Sequence, residues 1–364
     1  MNRTNRIYSI VFILWLGFIY NLYGSDIVTT QSKINNINED KPVLNVYTWV
    51  DFIDPEIYSD FEKEFHVKVR IDFYDDEELM FSTIQSGAGQ YDVIFPSDSL
   101  TDVMLKSGLL SKLNMRRIPN MRYLSDKFRV ITKRKWMGYS IPIDWGVTGI
   151  AYNTKYVKEC VDSWDIFGKT KYKGKMALLN NSYDVMTVGQ KRLGYSLNPD
   201  NPADIIESLK ILKALRPFLQ EEGFMPYNKI MEKLKNEELW IAQCYNGDAA
   251  LVNEENNAIK FVIPGEGTGF WMDNIAVPVD AKHKQLAEKF INFMLRPEIS
   301  ARHTNYCYFA NCNKKAGLFV EKEILSNPYV YINKKEIDKL EMYKILNPDV
   351  QKKFNECWAE LLKY

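Results

Sequence analysis

The fold is decided by residues 43–96, which read VLNVYTWVDFIDPEIYSDFEKEFHVKVRIDFYDDEELMFSTIQSGAGQYDVIFP. Apolar residues alternate or cluster in three short stretches of this segment, which is typical of β-strands. After the first stretch, Asp54-Pro55 has the residue types of a helix start, an N-cap followed by proline. This βαβαβ order indicates an α/β fold with a largely parallel sheet. We predict strands over 43–48, 67–74 and 91–95, with one helix that begins at Asp54 and another over 76–85.

A second α/β region follows further along the chain. Asn201-Pro202 repeats the signal for a helix start. The apolar segments 240–245 and 259–263 are predicted strands. Between them we predict a chain reversal at Asn246-Gly247, followed by a helix over 249–255.

The last third of the chain contains two amphipathic stretches. Apolar residues at helical spacing over 286–294 predict a helix that ends before Pro297. Asn347-Pro348 starts a C-terminal helix whose apolar face is typical of packing against a core. The length of 364 residues fits about two domains, each of about 100–200 residues.

Composition excludes several classes of function. The 47 basic and 47 acidic side chains balance, and a zero net charge argues against a general nucleic-acid binder, which needs a basic surface. The three histidines, His66, His283 and His303, are far apart in the sequence. We therefore predict no histidine-rich metal site, no cofactor and no catalysis by paired histidines. Aromatic residues are abundant, and such rings serve either a core or a site for an organic ligand.

The N-terminus is typical of an export signal. Two arginines precede an apolar run over 7–20, which is followed by the small residues Gly24 and Ser25. The run is shorter than the roughly 20 residues that cross a bilayer, so a cleaved signal peptide over 1–24 is favoured over a retained anchor. Residues 25–42 are polar and are predicted to form a flexible leader. No cysteine lies near the cleavage point, so we expect a periplasmic protein without a lipid-modified cysteine.

The chain has an odd number of cysteines, so at least one is unpaired. The spacing of Cys307 and Cys312 is not that of a zinc site. We interpret the cysteines as small buried thiols, while one disulfide stays open in an oxidising compartment. The five are Cys160, Cys244, Cys307, Cys312 and Cys357.

Residues 265–269, GEGTG, have the glycine content of a phosphate-binding loop. Such a loop must follow a strand and open a helix. Here the glycines lead into Phe270-Trp271-Met272, which does not open a helix, and no Lys-Ser or Lys-Thr follows. We predict a flexible connection between strands. The sequence also lacks a Gly-x-Ser-x-Gly elbow, so no motif indicates an enzyme.

Aromatic and acidic residues occur together directly after several predicted strands. In open α/β sheets, ligands bind at the carboxyl ends of the strands. The combination suits an aliphatic polyamine, because carboxylates hold ammonium groups while rings cover methylenes and attract cations. We predict Trp49, Tyr245, Trp271 and Tyr306 as aromatic walls, with Asp184 and Asp273 at the two ends.

At these residues the chain resembles the extracytoplasmic spermidine/putrescine-binding proteins of polyamine ABC transporters. The resemblance extends from about Val43 to the C-terminal helix. Its most specific stretches are VYTW (46–49), YDVIFPS (91–97), IPIDWG (141–146), LGYS (193–196), FWMDNIAVP (270–278) and INFMLRP (291–297).

The resemblance implies a two-lobed periplasmic-binding-protein fold, type II-like, with the ligand in the cleft between the lobes. One lobe would comprise 43–147 plus 272–314, and the other 148–271 plus 315–364. Strands would cross between them near 146–149 and 270–273. Rotation of the lobes about these strands would bury the polyamine, and the closed form would dock on a membrane permease.

The resemblance also gives roles to single residues. Trp49, Trp271 and Tyr306 match aromatic walls of the family's site. Asp273 matches the central carboxylate that binds an amine, and Ser97 matches a polar contact.

At five other positions the chain departs from the family's pattern. Asp184 stands where the family often has Glu, and Tyr245 where a Trp is common. Asn181 stands where the spermidine-type pattern has Asp, so one ammonium loses a charged partner. Phe52 and Ser99 stand where that pattern has tyrosines. These departures leave the choice between putrescine and spermidine open.

The partners implied are a polyamine and a permease, with no nucleic acid, and the protein is expected to be a monomer. Two alternatives stay open: another cationic solute or a metal in the same cleft, and a secreted enzyme that acts on an amine or a glycan. A sensor that presents polyamine to a receptor is also compatible with the sequence. The family's C-terminal glutamine contact has no clear counterpart here, although Lys344 lies in that neighbourhood.

Overall fold

The computed structural model describes residues 41–87 and 90–363. The predicted signal peptide and all of the leader up to residue 40 lie outside these residues. Within them, eleven strands form one connected sheet, and helices cover its faces. None of the helices in the described ranges is both long enough and apolar enough to cross a bilayer.

The elements are numbered in chain order. The strands are β1 (Val43–Trp49), β2 (Lys68–Tyr74), β3 (Val93–Ile94), β4 (Ser140–Asn153), β5 (Met176–Leu179), β6 (Phe224–Met225), β7 (Ile241–Tyr245), β8 (Ile259–Val262), β9 (Thr268–Ala276), β10 (Ala310–Asn311) and β11 (Leu340–Met342). The α-helices are α1 (Pro55–Phe65), α2 (Glu77–Ser86), α3 (Asp98–Lys106), α4 (Asp126–Arg134), α5 (Ser182–Arg192), α6 (Pro202–Leu215), α7 (Tyr227–Lys235), α8 (Asn246–Glu255), α9 (Lys284–Met294), α10 (Pro297–Cys307), α11 (Lys322–Leu325), α12 (Lys334–Ile337) and α13 (Pro348–Leu361). Single 3₁₀ turns cover Met115–Arg117, Pro119–Tyr123, Trp164–Gly168, Thr170–Tyr172, Arg216–Phe218 and Ala316–Leu318.

The helix starts follow the capping signals in the sequence. The Asp54 side chain accepts the Glu56 N–H, and Pro55 is the first residue of α1. Asp76 caps α2 in the same way. The two Asn-Pro pairs begin α6 and α13, where Asn201 and Asn347 accept backbone N–H groups. These four predictions are confirmed, since a short acceptor side chain satisfies orphan amides at each helix end.

The sheet runs in the order β2-β1-β3-β9-β4-β7-β5-β6. The outer strands pair in parallel, as the alternating order predicts. The two long central strands, β4 and β9, are antiparallel from Ser140 opposite Ala276 to Val147 opposite Phe270. The prediction of an α/β fold is confirmed, but the expectation of a largely parallel sheet is wrong at the centre.

Two large apolar cores lie on either side of this centre. One packs α1 and α9 against β1 and β3, with Phe61 and Phe290 fully buried. The other packs α5, α6 and α13 together, around Leu212 and Phe354. Strand β4 extends from one core to the other, because its first half pairs with β9 and its second half with β7 and β8.

The predicted reversal at Asn246-Gly247 is wrong, because these residues form the first turn of α8. The Asn246 side chain is fully buried: it accepts the Val147 N–H and donates to the Tyr329 carbonyl. These partners are distant in sequence and hold in a helix a dipeptide that favours turns. The predicted loop over 265–269 is also too long, because its last two residues belong to β9.

All five cysteines are unpaired thiols. Four of them are buried, as interpreted from the sequence, whereas Cys160 is exposed.

Candidate functional site

The middle of the sheet places Asp273 beside Ser97. Asp273 lies in β9, and its backbone forms an antiparallel bridge with Ser97, the N-cap of α3. The hydroxyl oxygens of Ser97 and Ser99 are 3.0 Å apart. The structure therefore brings three of the predicted site residues together at one end of α3.

The Asp273 carboxyl is a buried acid with no basic partner. The residue is only 7% exposed, and no Lys, Arg or His among the described residues forms an ion pair with it. Burial raises its pKa well above the usual range, and the nearby charges of Asp144, Glu77 and Asp98 raise this pKa further. A positively charged ligand in the site would therefore stabilise the ionised form of Asp273.

Asp98 is different, since Lys135 contacts both Asp98 and Asp102 across 3.3 and 3.1 Å. Burial raises the pKa of Asp98 to about 6, although Lys135 acts in the opposite direction. Asp98 thus has a cation of its own.

Glu77 is an acidic residue of this region that the sequence analysis missed. It is the first residue of α2, and its carboxylate accepts the Ser97 N–H at 3.3 Å. Burial raises the pKa of Glu77 to about 7, and Asp98 and Asp184 add to the rise. The helix start at Asp76 was predictable, but no pattern in the sequence shows which side of the first turn faces the sheet.

Behind Asp273 lies a buried group of polar side chains. Asp144 is opposite Asp273 in the β4–β9 pairing, and its Oδ2 is 2.5 Å from His303 Nε2. Cys307 Sγ lies 3.7 Å from the same imidazole nitrogen. These three residues offer metal-ligand atoms within 4.8 Å of one another. Asp144 and His303 form a hydrogen-bonded ion pair, and the Cys307 thiol lies beside it.

A second acid, Asp184, lies in the first turn of α5. Thr148 donates to its Oδ1 at 2.6 Å, and the Tyr245 hydroxyl donates to its Oδ2 at 2.9 Å. Burial raises the pKa of Asp184 to about 6, while these donors limit the rise. The structure therefore joins Asp184 and Tyr245, which are both predicted site residues, in one hydrogen-bonded unit.

Tyr245 in turn contacts Trp271, and the two ring centroids are 5.3 Å apart in an edge-to-face arrangement. Trp271 also packs against Phe309. Its indole N–H is buried without a hydrogen-bond partner. The close packing of Trp271 against β4 requires glycine at 146, because a Cβ atom at 146 would lie 2.4 Å from the Trp271 ring.

Trp49 ends β1 and packs against Tyr74, with ring centroids 4.4 Å apart and ring planes tilted by 46°. Its indole N–H is also buried without a partner. Both predicted tryptophan walls thus present a donor that nothing in the described chain accepts.

Other predicted positions have different surroundings. Phe52 is 5% exposed and packs edge-on against Phe95 and His303, as a core residue does. Asn181 caps α5, and its side-chain oxygen accepts the N–H groups of Tyr183 and Asp184. The capping role satisfies the oxygen that a ligand would otherwise use.

Tyr306 lies in α10 and is half-buried. Burial raises its pKa, and the charges of Asp51 and Asp54 add to this. The described ring contacts do not join it to Trp49 or Trp271.

Two further residues were missed by the sequence analysis. Asp248, in the first turn of α8, is 5% exposed, and its Oδ2 has no partner. Burial raises the pKa of Asp248 to about 7. Tyr343 is a buried neighbour of Asp184, whereas the adjacent Lys344 is exposed. Asp248 follows Tyr245 by three residues, a spacing that places both at the start of one helix.

Comparison with known proteins adds the family. A family described as bacterial extracellular solute-binding proteins matches residues 56–329, which is most of the chain. The chain belongs to this family. The expected two-lobed periplasmic-binding-protein fold is therefore the fold of this solute-binding protein.

Relatives of this solute-binding protein are named for polyamines. A putrescine-binding periplasmic protein of Pseudomonas aeruginosa is 30% identical over 341 residues, which cover 88% of this chain and 92% of the relative. The spermidine/putrescine-binding periplasmic protein of Escherichia coli is 30% identical over 80% of this chain and 84% of its own. A solved spermidine/putrescine ABC transporter protein from Listeria monocytogenes is 32% identical, with a TM-score of 0.83 over 88% of this chain and 99% of its own.

Proposed function

We propose that this solute-binding protein binds an aliphatic polyamine, putrescine or spermidine, in the cleft at the centre of its sheet. The observation that carries the proposal is the Asp273 carboxylate, which is buried and has no cationic partner in the described chain. An unpaired buried charge is costly, so a site of this kind is completed by a ligand of opposite charge.

The arrangement of acids suits a ligand with more than one ammonium group. Asp273 belongs to the Ser97 end of the site, while Asp184 and Asp248 belong to the end near Tyr245. Each ammonium group needs acceptors, and a carboxylate acceptor is stronger than a neutral one. Acids on different elements of one site therefore favour a diamine or triamine over a monoamine.

The aromatic side chains suit the methylenes between the amines. Trp49 and Trp271 are half-buried, and they contact Tyr74 and Tyr245. Ring faces cover CH₂ groups and attract a cation by about 0.5–2 kcal/mol each. The relatives' names, which mention putrescine and spermidine, support the same class of ligand.

The biological role follows from the family. In our proposal the protein is exported by the signal over 1–24, acts in the periplasm as a monomer and delivers its ligand to the permease of an ABC transporter. Its lobes are 43–147 plus 272–314, and 148–271 plus 315–364. The antiparallel pairing of β4 with β9 supports a hinge there, because β4 extends from one apolar core to the other.

Calorimetric titration of the purified mature protein with putrescine, spermidine, spermine and neutral amino acids tests this function. We expect saturable binding of at least one polyamine and none of the amino acids. The absence of heat with every polyamine, together with tight binding of another solute, would overturn the proposal.

A further inference from the structure

Glu77 is the acid of the site for which the sequence and the family provide no role. Its neighbour Asp76 caps α2, and the next residue, Glu78, is exposed to solvent. Glu77 instead turns inward, and its carboxylate accepts the backbone N–H of Ser97. The two adjacent glutamates of one helical turn thus have opposite surroundings.

Ser97 connects Glu77 to Asp273. One side of the Ser97 backbone donates to Glu77, and the same residue forms the bridge with Asp273 in β9. Glu77 and Asp273 therefore both contact Ser97, whose hydroxyl oxygen is 3.0 Å from that of Ser99. Within the described residues neither acid has a basic partner, in contrast to Asp98, which has Lys135.

The charge of Glu77 acts on groups at both ends of the proposed site. Burial is the main cause of the raised pKa values of Asp273, Tyr183 and Tyr245, and the charge of Glu77 raises all three further. In return, Asp98 and Asp184 raise the pKa of Glu77. Several acids lie close together here, and Glu77 and Asp273 have no ion-pair partner among the described residues, an arrangement that a bound polycation relieves.

We propose that Glu77 and Asp273 together bind one terminal ammonium group of the polyamine, with the Ser99 hydroxyl as a further acceptor. This inference rests on the proposed function and adds a specificity residue to it. An end with two carboxylates and a hydroxyl suits a primary ammonium, whose three N–H donors can serve three acceptors at once. It also supplies a negative charge to a site in which Asn181 has none.

The substitution Glu77→Gln tests the charge alone, because the amide oxygen of Gln can still accept the Ser97 N–H. We expect the Kd of the tightest polyamine to rise about 10- to 100-fold, the effect of losing one charge-assisted partner. Glu78→Gln is the matched control, because it removes the same charge from the exposed neighbour. Its Kd should stay within about twofold of the wild type.

The outcomes separate this inference from the proposed function. A wild-type protein that binds no polyamine overturns the function itself. A wild type that binds and a Glu77→Gln protein of equal affinity overturn only the role of Glu77. Equal losses in the two glutamate variants also overturn it, since they indicate a general effect of charge.

A second readout protects the test against a folding defect. If Glu77→Gln does not fold, Glu77→Asp keeps the charge but withdraws the carboxylate by one methylene, and its Kd should rise about fivefold. In the wild type, calorimetry at pH 7 in two buffers of different ionisation heat should show protons released on binding, because the ligand favours ionised Glu77 and Asp248. An Asp variant with unchanged Kd contradicts the inference.

Discussion

Asp273 and Asp144 lie opposite each other on β9 and β4, and both residues are buried. Two buried acids side by side cannot both be ionised unless a cation stabilises one of them. That cation is His303, whose Nε2 contacts Asp144. Burial disfavours the imidazolium, but Cys307 and Asp144 outweigh burial and raise the pKa of His303 to about 10. The ion pair of Asp144 with His303 thus forms the floor beneath the ligand-binding acid.

His303→Gln should destabilise the protein strongly. It leaves Asp144 buried without its cation, and breaking one side of a buried pair costs about 3–5 kcal/mol. Urea denaturation without ligand measures the loss. His66→Asn is the control, because His66 is exposed and its left-handed backbone suits Asn. A His303→Gln protein as stable as the wild type would show that the pair contributes little.

Asp273→Asn should move affinity and stability in opposite directions. It removes the acid that binds the ammonium, so polyamine affinity should fall by about 1.5–3 kcal/mol. It also removes a charge that Asp144 and Glu77 repel, so the ligand-free protein should unfold at a higher temperature. Calorimetry and thermal unfolding measure the two effects, with the exposed Asp280→Asn as control. Loss of both affinity and stability would indicate a structural role instead.

Helix starts could be predicted from the sequence because their causes are local. Asp54, Asn201 and Asn347 each satisfy amides two or three residues ahead, and no distant partner is needed. Asn181 shows the limit of the same logic. Its capping bonds are local as well, but the resemblance to the family predicts a contact between Asn181 and the ligand and does not predict the capping role.

Features that depend on distant contacts could not be predicted. Asn246 is fixed in a helix by Val147 and Tyr329. His303 meets Asp144 across 159 positions of sequence. Glu77 differs from Glu78 only in the direction that it faces. A chain read in order contains no signal for these pairings, because they exist only after the sheet has formed.

Gly146→Ala should weaken ligand binding through Trp271. The added Cβ would lie 2.4 Å from the indole ring, so the ring or β4 has to move. Overpacking of this kind costs about 1–3 kcal/mol of stability. Titration with polyamine should show a weaker Kd, and the tryptophan emission should change. Gly317→Ala is the control, since its nearest neighbour is 3.9 Å away. Wild-type affinity in Gly146→Ala would show that the position of Trp271 is unimportant.

Tyr227→Phe should favour the open form of the proposed cleft. The Tyr227 hydroxyl donates to the Val50 carbonyl at 2.6 Å, and the two residues belong to different proposed lobes. Loss of this bond should weaken polyamine binding by about 0.5–1.5 kcal/mol. Calorimetry measures the loss, and small-angle scattering of the ligand-free protein should show a larger radius. Tyr156→Phe, which loses a surface bond to Glu237, should bind normally. A matching loss in Tyr156→Phe would argue against a contact across the cleft.

The ligand-free protein should become less stable as pH rises, because buried acids of the proposed site have raised pKa values. Burial raises the pKa values of Glu77 and Asp248 to about 7 and of Asp184 to about 6, so the folded state holds these protons more tightly than the unfolded chain does. Stability is therefore lost as pH rises from about 4.5 to 7.

The raised pKa of His303 also makes the protein less stable as pH rises. The stabilisation that protonated His303 gives the folded state is complete below pH 6.5 and is lost as pH rises through about 10. Melting temperatures at intervals from pH 5 to 9 measure the combined slope. Saturating polyamine should flatten the lower part of the curve, because the bound cation stabilises the ionised acids. Glu77→Gln should also flatten it, whereas Glu78→Gln should not. A melting temperature that rises with pH over this range would contradict the assignment of unpaired buried acids.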